Sequence, residues 1–187
     1  SLKKDIDYAF SNGANHIAIY PFVDFSFANN SVPLMAEKEK RRLLDDITDY
    51  CEKSGYLRTS IWTYAKKSTQ KYSSMTRDNF LGFGCSATTL LGDQFKVNTF
   101  SIEEYIKRIE DKQLPTSLTL RFSLRQRMVY YLFWTAYTTK VDPEAFKDFF
   151  GVFLQKMYGL ELFLCQLLGF AKKEEGIYKM TKKGAYY

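Results

Sequence analysis

The chain has 187 residues, 45% of them apolar and 26% charged, with a formal net charge of +6. That length and balance exclude a disordered or fibrous chain, and they suit one large domain, or one domain with a small appendage, around a real core. No uninterrupted apolar run approaches the ~20 residues that span a bilayer, and no signal peptide is visible, so no membrane span is expected.

Residues 116–187 hold 11 lysines and arginines against six acidic residues, whereas residues 1–115 hold 16 against 15. The positive excess therefore lies in the C-terminal third. Such asymmetry suits a nucleic acid, a membrane surface or an anionic small molecule without choosing among them. Cys51, Cys85 and Cys165 are odd in number and far apart, which is neither a disulfide framework nor a metal-ligand spacing. Three free thiols predict a reducing, cytoplasmic setting. The 16 Phe and 14 Tyr fit an aromatic-rich core or a pocket for a flat apolar ligand.

In chain order, Leu2, Ile6 and Ala9-Phe10 predict a first helix, closed by Gly13. His16 to Tyr20 reads as a buried parallel strand. Residues 21–35 read as an irregular connection with Asn29-Asn30-Ser31 at its tip. Leu43, Leu44, Ile47, Tyr50 and Cys51 recur at helical spacing and predict a helix over 36–53, ended by Gly55. Its Asp45, Asp46 and Asp49, beside Lys38, Lys40, Arg41 and Arg42, form a solvated, ion-paired face. Leu57 to Tyr64, rich in β-branched and aromatic residues, reads as one strand. Strand, helix and strand from His16 to Tyr64 predict a βαβ crossover and a parallel sheet or barrel.

Residues 65–79 read as a polar surface loop, with an Arg77–Asp78 salt bridge. Phe80 to Ala87 is the next predicted strand. It carries Gly82 and Gly84, where the lack of a side chain lets a ligand or another strand come close. Thr88 to Asn98 predicts a hairpin turning at Gly92-Asp93. Ser101 followed by Glu104 is a capping box that opens a helix from Ile102 to about Asp111, ended by Pro115. The last third predicts three helices and one hairpin. Leu124, Met128, Tyr131, Leu132 and Thr135 mark the first helix. Asp142-Pro143 opens a short second helix to Phe150, and Phe153 to Leu168 is a third, stopped by Gly169. Phe170 to Tyr178 and then Met180 to Gly184 form a two-stranded wing.

The order of His16-Ile17-Ala18-Ile19-Tyr20, Trp62-Thr63-Tyr64-Ala65, Gly82-Phe83-Gly84-Cys85-Ser86-Ala87, Val97-Asn98, Tyr105 and Met180-Thr181-Lys182-Lys183-Gly184 resembles the C-terminal half of the oxygen-independent coproporphyrinogen III oxidase-like radical S-adenosylmethionine family. The resemblance implies an α/β fold: the C-terminal portion of an incomplete (β/α) barrel over residues 1–115, then a helical, winged-helix-like domain over 116–187. It implies that Gly82, Phe83, Gly84, Ser86 and Ala87 lie where the family places S-adenosylmethionine, with His16, Tyr20 and Tyr64 toward a tetrapyrrole substrate. Barrel ligands sit at the C-terminal ends of strands, which is where Tyr20, Tyr64 and Gly84 fall. Where many relatives have Gly or Pro-Gly, this chain has Cys85. His16, the lone histidine, reads as a hydrogen-bonded structural residue or a substrate contact.

In the family, a [4Fe-4S] cluster and S-adenosylmethionine generate a 5′-deoxyadenosyl radical that leads to decarboxylation of a tetrapyrrole propionate. This chain has no cysteine triplet for that cluster. It also opens without Met on a helix that lacks its preceding strand, and it stops on Gly184-Ala185-Tyr186-Tyr187. The expectation is therefore a segment that is inactive alone and binds no cofactor tightly. Its missing N-terminal half would carry a CxxxCxxC motif. A haem-trafficking relative and a winged-helix nucleic-acid module are the alternatives. Against the second, the helix from Phe153 to Leu168 has no arginine to read base edges, so no sequence-specific nucleic acid is expected.

Overall fold

The computed structural model describes residues 2–20, 35–67, 69 and 78–187, which fall into two compact units: residues 1–72 with 137–187, and residues 73–136. The expected connection at 21–34, most of the expected loop at 65–79, and Arg77 of the expected Arg77–Asp78 pair lie outside the described residues. The fold is mixed α/β, with six helices and three small sheets among the described residues.

In the first unit, α1 (Leu2–Ser11) turns Ile6 inward, and Gly13 (φ 84°) follows it. Helix α2 (Glu37–Lys53) buries Leu44, Ile47, Thr48 and Cys51, the face set by their helical spacing. Ile6, Ile47, Cys51, Tyr56 and Tyr64 form the core, and Phe10 stacks on Tyr56 with ring centroids 3.6 Å apart. Burial of these side chains is the main force holding α1 and α2 to their sheet.

That sheet corrects the expected parallel pairing. Strands β1 (His16–Ala18) and β2 (Tyr56–Arg58) run the same way, as the crossover requires. Strand β3 (Thr63–Lys66) lies between them, antiparallel to both, so that Ala65 stands opposite His16 on one side and Leu57 on the other. The expected single strand from Leu57 to Tyr64 is a hairpin. Its turn is held by the Arg58 side chain, whose Nε and Nη2 donate to the Ile61 carbonyl at 3.1 and 2.6 Å. Every strand pair among the described residues is antiparallel.

The second unit holds β4 (Thr88–Leu91), β5 (Gln94–Asn98), α3 (Ile102–Glu110), β6 (Thr116–Arg121) and α4 (Leu124–Tyr137), the helix that leads out of it. Strands β4 and β5 form the hairpin expected at Gly92-Asp93. Ser101 caps α3 by accepting from the Glu104 amide at 3.1 Å. Strand β6 pairs with β5 across the expected domain boundary at 115/116, and residues 116–121 belong to this unit. The expected strand from Phe80 to Ala87 is reduced to one bridge, Phe80 to Leu90, followed by an irregular loop.

In the C-terminal part of the first unit, β7 (Lys140–Val141), α5 (Pro143–Phe150), α6 (Leu154–Leu167), β8 (Ala171–Glu174) and β9 (Ile177–Met180) follow one another. Asp142 caps α5 through the Glu144 and Ala145 amides, with Pro143 in the first turn. The sheet order is β7-β9-β8, and the expected wing is corrected. Both strands of the hairpin fall within Ala171–Met180, turning at Glu175-Gly176, the stretch after Met180 is a turn, and the short β7 adds a third strand. Helix α6 turns Leu154 and Tyr158 inward and leaves Leu160, Phe163, Leu164 and Leu167 exposed.

Candidate functional site

The loop from Gly82 to Ala87 is built from contacts within the second unit. A Cβ on residue 82 would fall on the Thr88 carbonyl oxygen and within 2.8 Å of its carbon, so only glycine fits beside β4. The Gly82 amide donates to Thr89 Oγ1 at 3.0 Å. Gly84 has φ 103°, in the left-handed half of backbone space, and nothing crowds its Cβ position. Its amide donates to the Tyr105 hydroxyl at 3.1 Å, and its carbonyl accepts from Asn98 Nδ2 at 2.9 Å. The Ser86 amide and the Cys85 thiol both donate to the Thr99 carbonyl, at 2.8 and 3.0 Å.

These bonds decide what the loop presents. The amides of Gly82, Gly84 and Ser86 are taken up by the chain itself. What faces outward is side chain: Phe83 is 85% exposed, Leu81 is 61% exposed and Ser86 is exposed. Ala87 is half-buried, with its carbonyl accepting from the Asn98 amide. The supporting residues Thr89, Asn98, Thr99 and Tyr105 were not assigned that task from sequence. Only the glycine spacing pointed toward them, since a backbone crossing needs partners for its polar groups.

The second unit also carries a groove of about 630 Å3, lined by Phe122, Arg125, Gln126, Tyr130, Phe133 and Trp134 among others. Phe95, Phe122, Tyr130 and Trp134 form an aromatic run with successive centroids 5.8, 5.8 and 6.2 Å apart. Arg127 stands over the Tyr130 ring at 5.6 Å, and burial lowers its pKa from the ordinary arginine value.

The remaining expected site residues belong to the first unit. His16 is half-buried in β1 opposite Ala65. Tyr20 is 62% exposed and lies 6.4 Å from the Trp62 ring. Burial and the neighbouring Tyr20 raise the pKa of Tyr137. Tyr64 is fully buried, with its hydroxyl 2.8 Å from Thr48 Oγ1, and burial raises its pKa. It belongs to the core of this unit.

The three cysteines do not fit an iron–sulfur cluster. Cys51 is buried in α2, Cys85 sits in the glycine loop of the other unit, and Cys165 lies on α6. Burial pushes the Cys51 thiol up to about 11. Among the described residues, no three His, Cys, Asp or Glu side chains converge to hold a metal ion. No described helix is long and apolar enough to cross a membrane.

With this architecture in hand, the comparison with solved structures aligns the whole chain with the fold of a radical SAM enzyme. That structure is coproporphyrinogen III oxidase (HemN) from Escherichia coli, with a TM-score of 0.75 and 13% sequence identity over 100% of this chain and 49% of that one. The chain thus spans about half the length of the protein it resembles. No protein-family profile matches the sequence, and no curated protein matches it either.

Proposed function

We propose that this chain is the C-terminal, substrate-side portion of a radical S-adenosylmethionine oxidoreductase of the coproporphyrinogen oxidase type, which acts on a tetrapyrrole propionate in haem and porphyrin metabolism. The observation that carries the reading is the full-length structural match at a TM-score of 0.75. Since the match spans 49% of that protein, and the cysteines here do not converge, the [4Fe-4S] cluster is assigned to a part without a counterpart in this chain. When bound, cluster and S-adenosylmethionine together supply a carbon radical that abstracts hydrogen.

The residues of this chain would then bind and orient. Phe83 and Ser86, carried on a loop fixed from within, face S-adenosylmethionine. The aromatic groove, with Arg125 in its lining, suits a flat tetrapyrrole. His16 and Tyr20 of the first unit remain proposed substrate contacts.

The test is a fluorescence titration of the intact chain with coproporphyrin III. Saturable binding that weakens in Phe133→Ala supports the reading, and absence of binding overturns it. Sequencing the encoding open reading frame supplies the second arm, where a CxxxCxxC motif ahead of Leu2 is expected. Porphyrin binding in an open reading frame without that motif would favour a haem carrier.

A winged-helix nucleic-acid module is the other reading. It draws on the order β7-α5-α6-β8-β9 within the first unit, with β7 paired to β9, two helices followed by a hairpin. The exposed face of α6 weighs against it. Leu160, Phe163, Leu164 and Leu167 stand where a recognition helix would present Arg, Lys, Asn or Gln.

A further inference from the structure

In the first unit, residues of α2, β2, β7 and β9 line an open cavity of about 200 Å3. Four cationic side chains line it, Arg58, Lys140, Lys179 and Lys182, against one carboxylate, Glu52. Two of the four are already paired: Lys179 with Glu174 at 2.8 Å, and Lys182 with Asp49. The other two are not. Lys140 is exposed and makes no ion pair among the described residues.

Arg58 is half-buried, and its Nε and Nη2 spend their bonds on the neutral Ile61 carbonyl. No carboxylate lies within ion-pair distance of it among the described residues, although Glu52 and Asp45 act on it from farther away. Burial is the largest influence on this guanidinium and lowers its pKa, and a guanidinium keeps its charge in proteins. A positive charge withdrawn from water and matched only by a carbonyl dipole costs free energy that a bound anion would offset. The carbonyl also fixes the guanidinium plane, so its remaining edge needs little ordering before it meets a ligand. Thr139, held at φ 68°, also belongs to the lining.

We infer that this cavity binds a small phosphate group, either inorganic phosphate or the phosphate of a small monoester, between Arg58 and Lys140. Phosphate fits better than a carboxylate for two reasons. Its charge of about −1.5 to −2 at neutral pH matches the two cations that have no carboxylate partner. Its tetrahedral set of oxygens can engage a guanidinium edge and an ammonium at once. Glu52 opposes the ligand and limits its affinity. The inference is independent of the function proposed above, since it uses no residue of that site.

Calorimetric titration of the intact chain at constant ionic strength tests it, with inorganic phosphate, glycerol 1-phosphate and acetate as probes. Saturable phosphate binding is expected, weakened roughly fivefold to tenfold in Lys140→Gln, a loss on the order of one charge-assisted contact. Lys140 is exposed, so this variant should melt like the parent chain without phosphate. Arg58→Lys, which keeps the charge and loses the fork, should also weaken binding. Glycerol 1-phosphate binding identifies an ester site, and its exclusion identifies a free-ion site. The inference fails if no saturable heat appears, if Lys140→Gln binds phosphate as the parent does, or if acetate binds as tightly as phosphate.

Discussion

The Gly84 amide donates to the Tyr105 hydroxyl at 3.1 Å, so a single phenol on α3 holds the centre of the glycine loop. Tyr105→Phe removes that acceptor and keeps the ring. The half-buried amide then has no partner, which costs about 1–2 kcal/mol. Urea denaturation should show the loss, and hydrogen exchange at Gly84 should accelerate. Unchanged exchange would show that the phenol does not hold the loop.

Gly82→Ala should be the more severe change. Its Cβ would collide with the Thr88 backbone, which cannot rotate away as a side chain can. The expected destabilisation is about 1–3 kcal/mol or more, as for overpacking that needs backbone movement. Equal stability of variant and parent by denaturant titration would show that β4 does not pass so close.

Cys51 supplies a pH dependence. Burial, with a smaller contribution from Glu52, raises its thiol from 9.0 to about 11. Between those values the folded chain keeps a proton that the unfolded chain releases. Its contribution to stability is therefore complete below pH 9 and is lost as pH rises toward 11. Iodoacetamide at pH 8 should leave Cys51 unmodified in the folded chain and label it after unfolding, as mass spectrometry of the peptides would reveal. Rapid labelling of the folded chain would contradict this burial.

Anaerobic reconstitution with iron and sulfide should yield no stoichiometric [4Fe-4S] cluster, since such a cluster needs about three or four converging thiolates. Cys51, Cys85 and Cys165 lie on three separate elements. A stoichiometric cluster, measured by iron and sulfide analysis, would overturn the division of labour proposed for this chain.

Duplex DNA should bind weakly and without sequence preference, and the binding should collapse as salt rises, as expected of charge attraction without base readout. Selection from random duplexes at physiological salt is the measurement. An enriched motif would move the winged-helix reading to first place.

Local chemistry made much of this fold legible. Ser101 and Glu104, Asp142 and Pro143, and Gly92-Asp93 each fix an element end by a bond or a backbone angle that needs no distant partner. Pairing partners were harder to read. The run from Leu57 to Tyr64 has uniform strand propensity, and what breaks it is the Arg58 side chain closing on Ile61. No local pattern announces that contact. Strand β6 carries a local signal, because Ser117 to Leu120 alternates serine or threonine with leucine, but it sits in a third whose other elements are helices and one sheet. The glycines mark where the loop lies, but not what holds it. Spacing alone does not reveal that Thr89 and Tyr105 reach the amides first.

Those occupied amides have a consequence for recognition. A loop whose polar backbone is answered from within has nothing to rearrange when a ligand arrives, so it acts as a rigid rim rather than a clasp. On the function proposed above, discrimination there falls to the exposed side chains of Phe83 and Ser86, and replacing those two residues would retune selectivity.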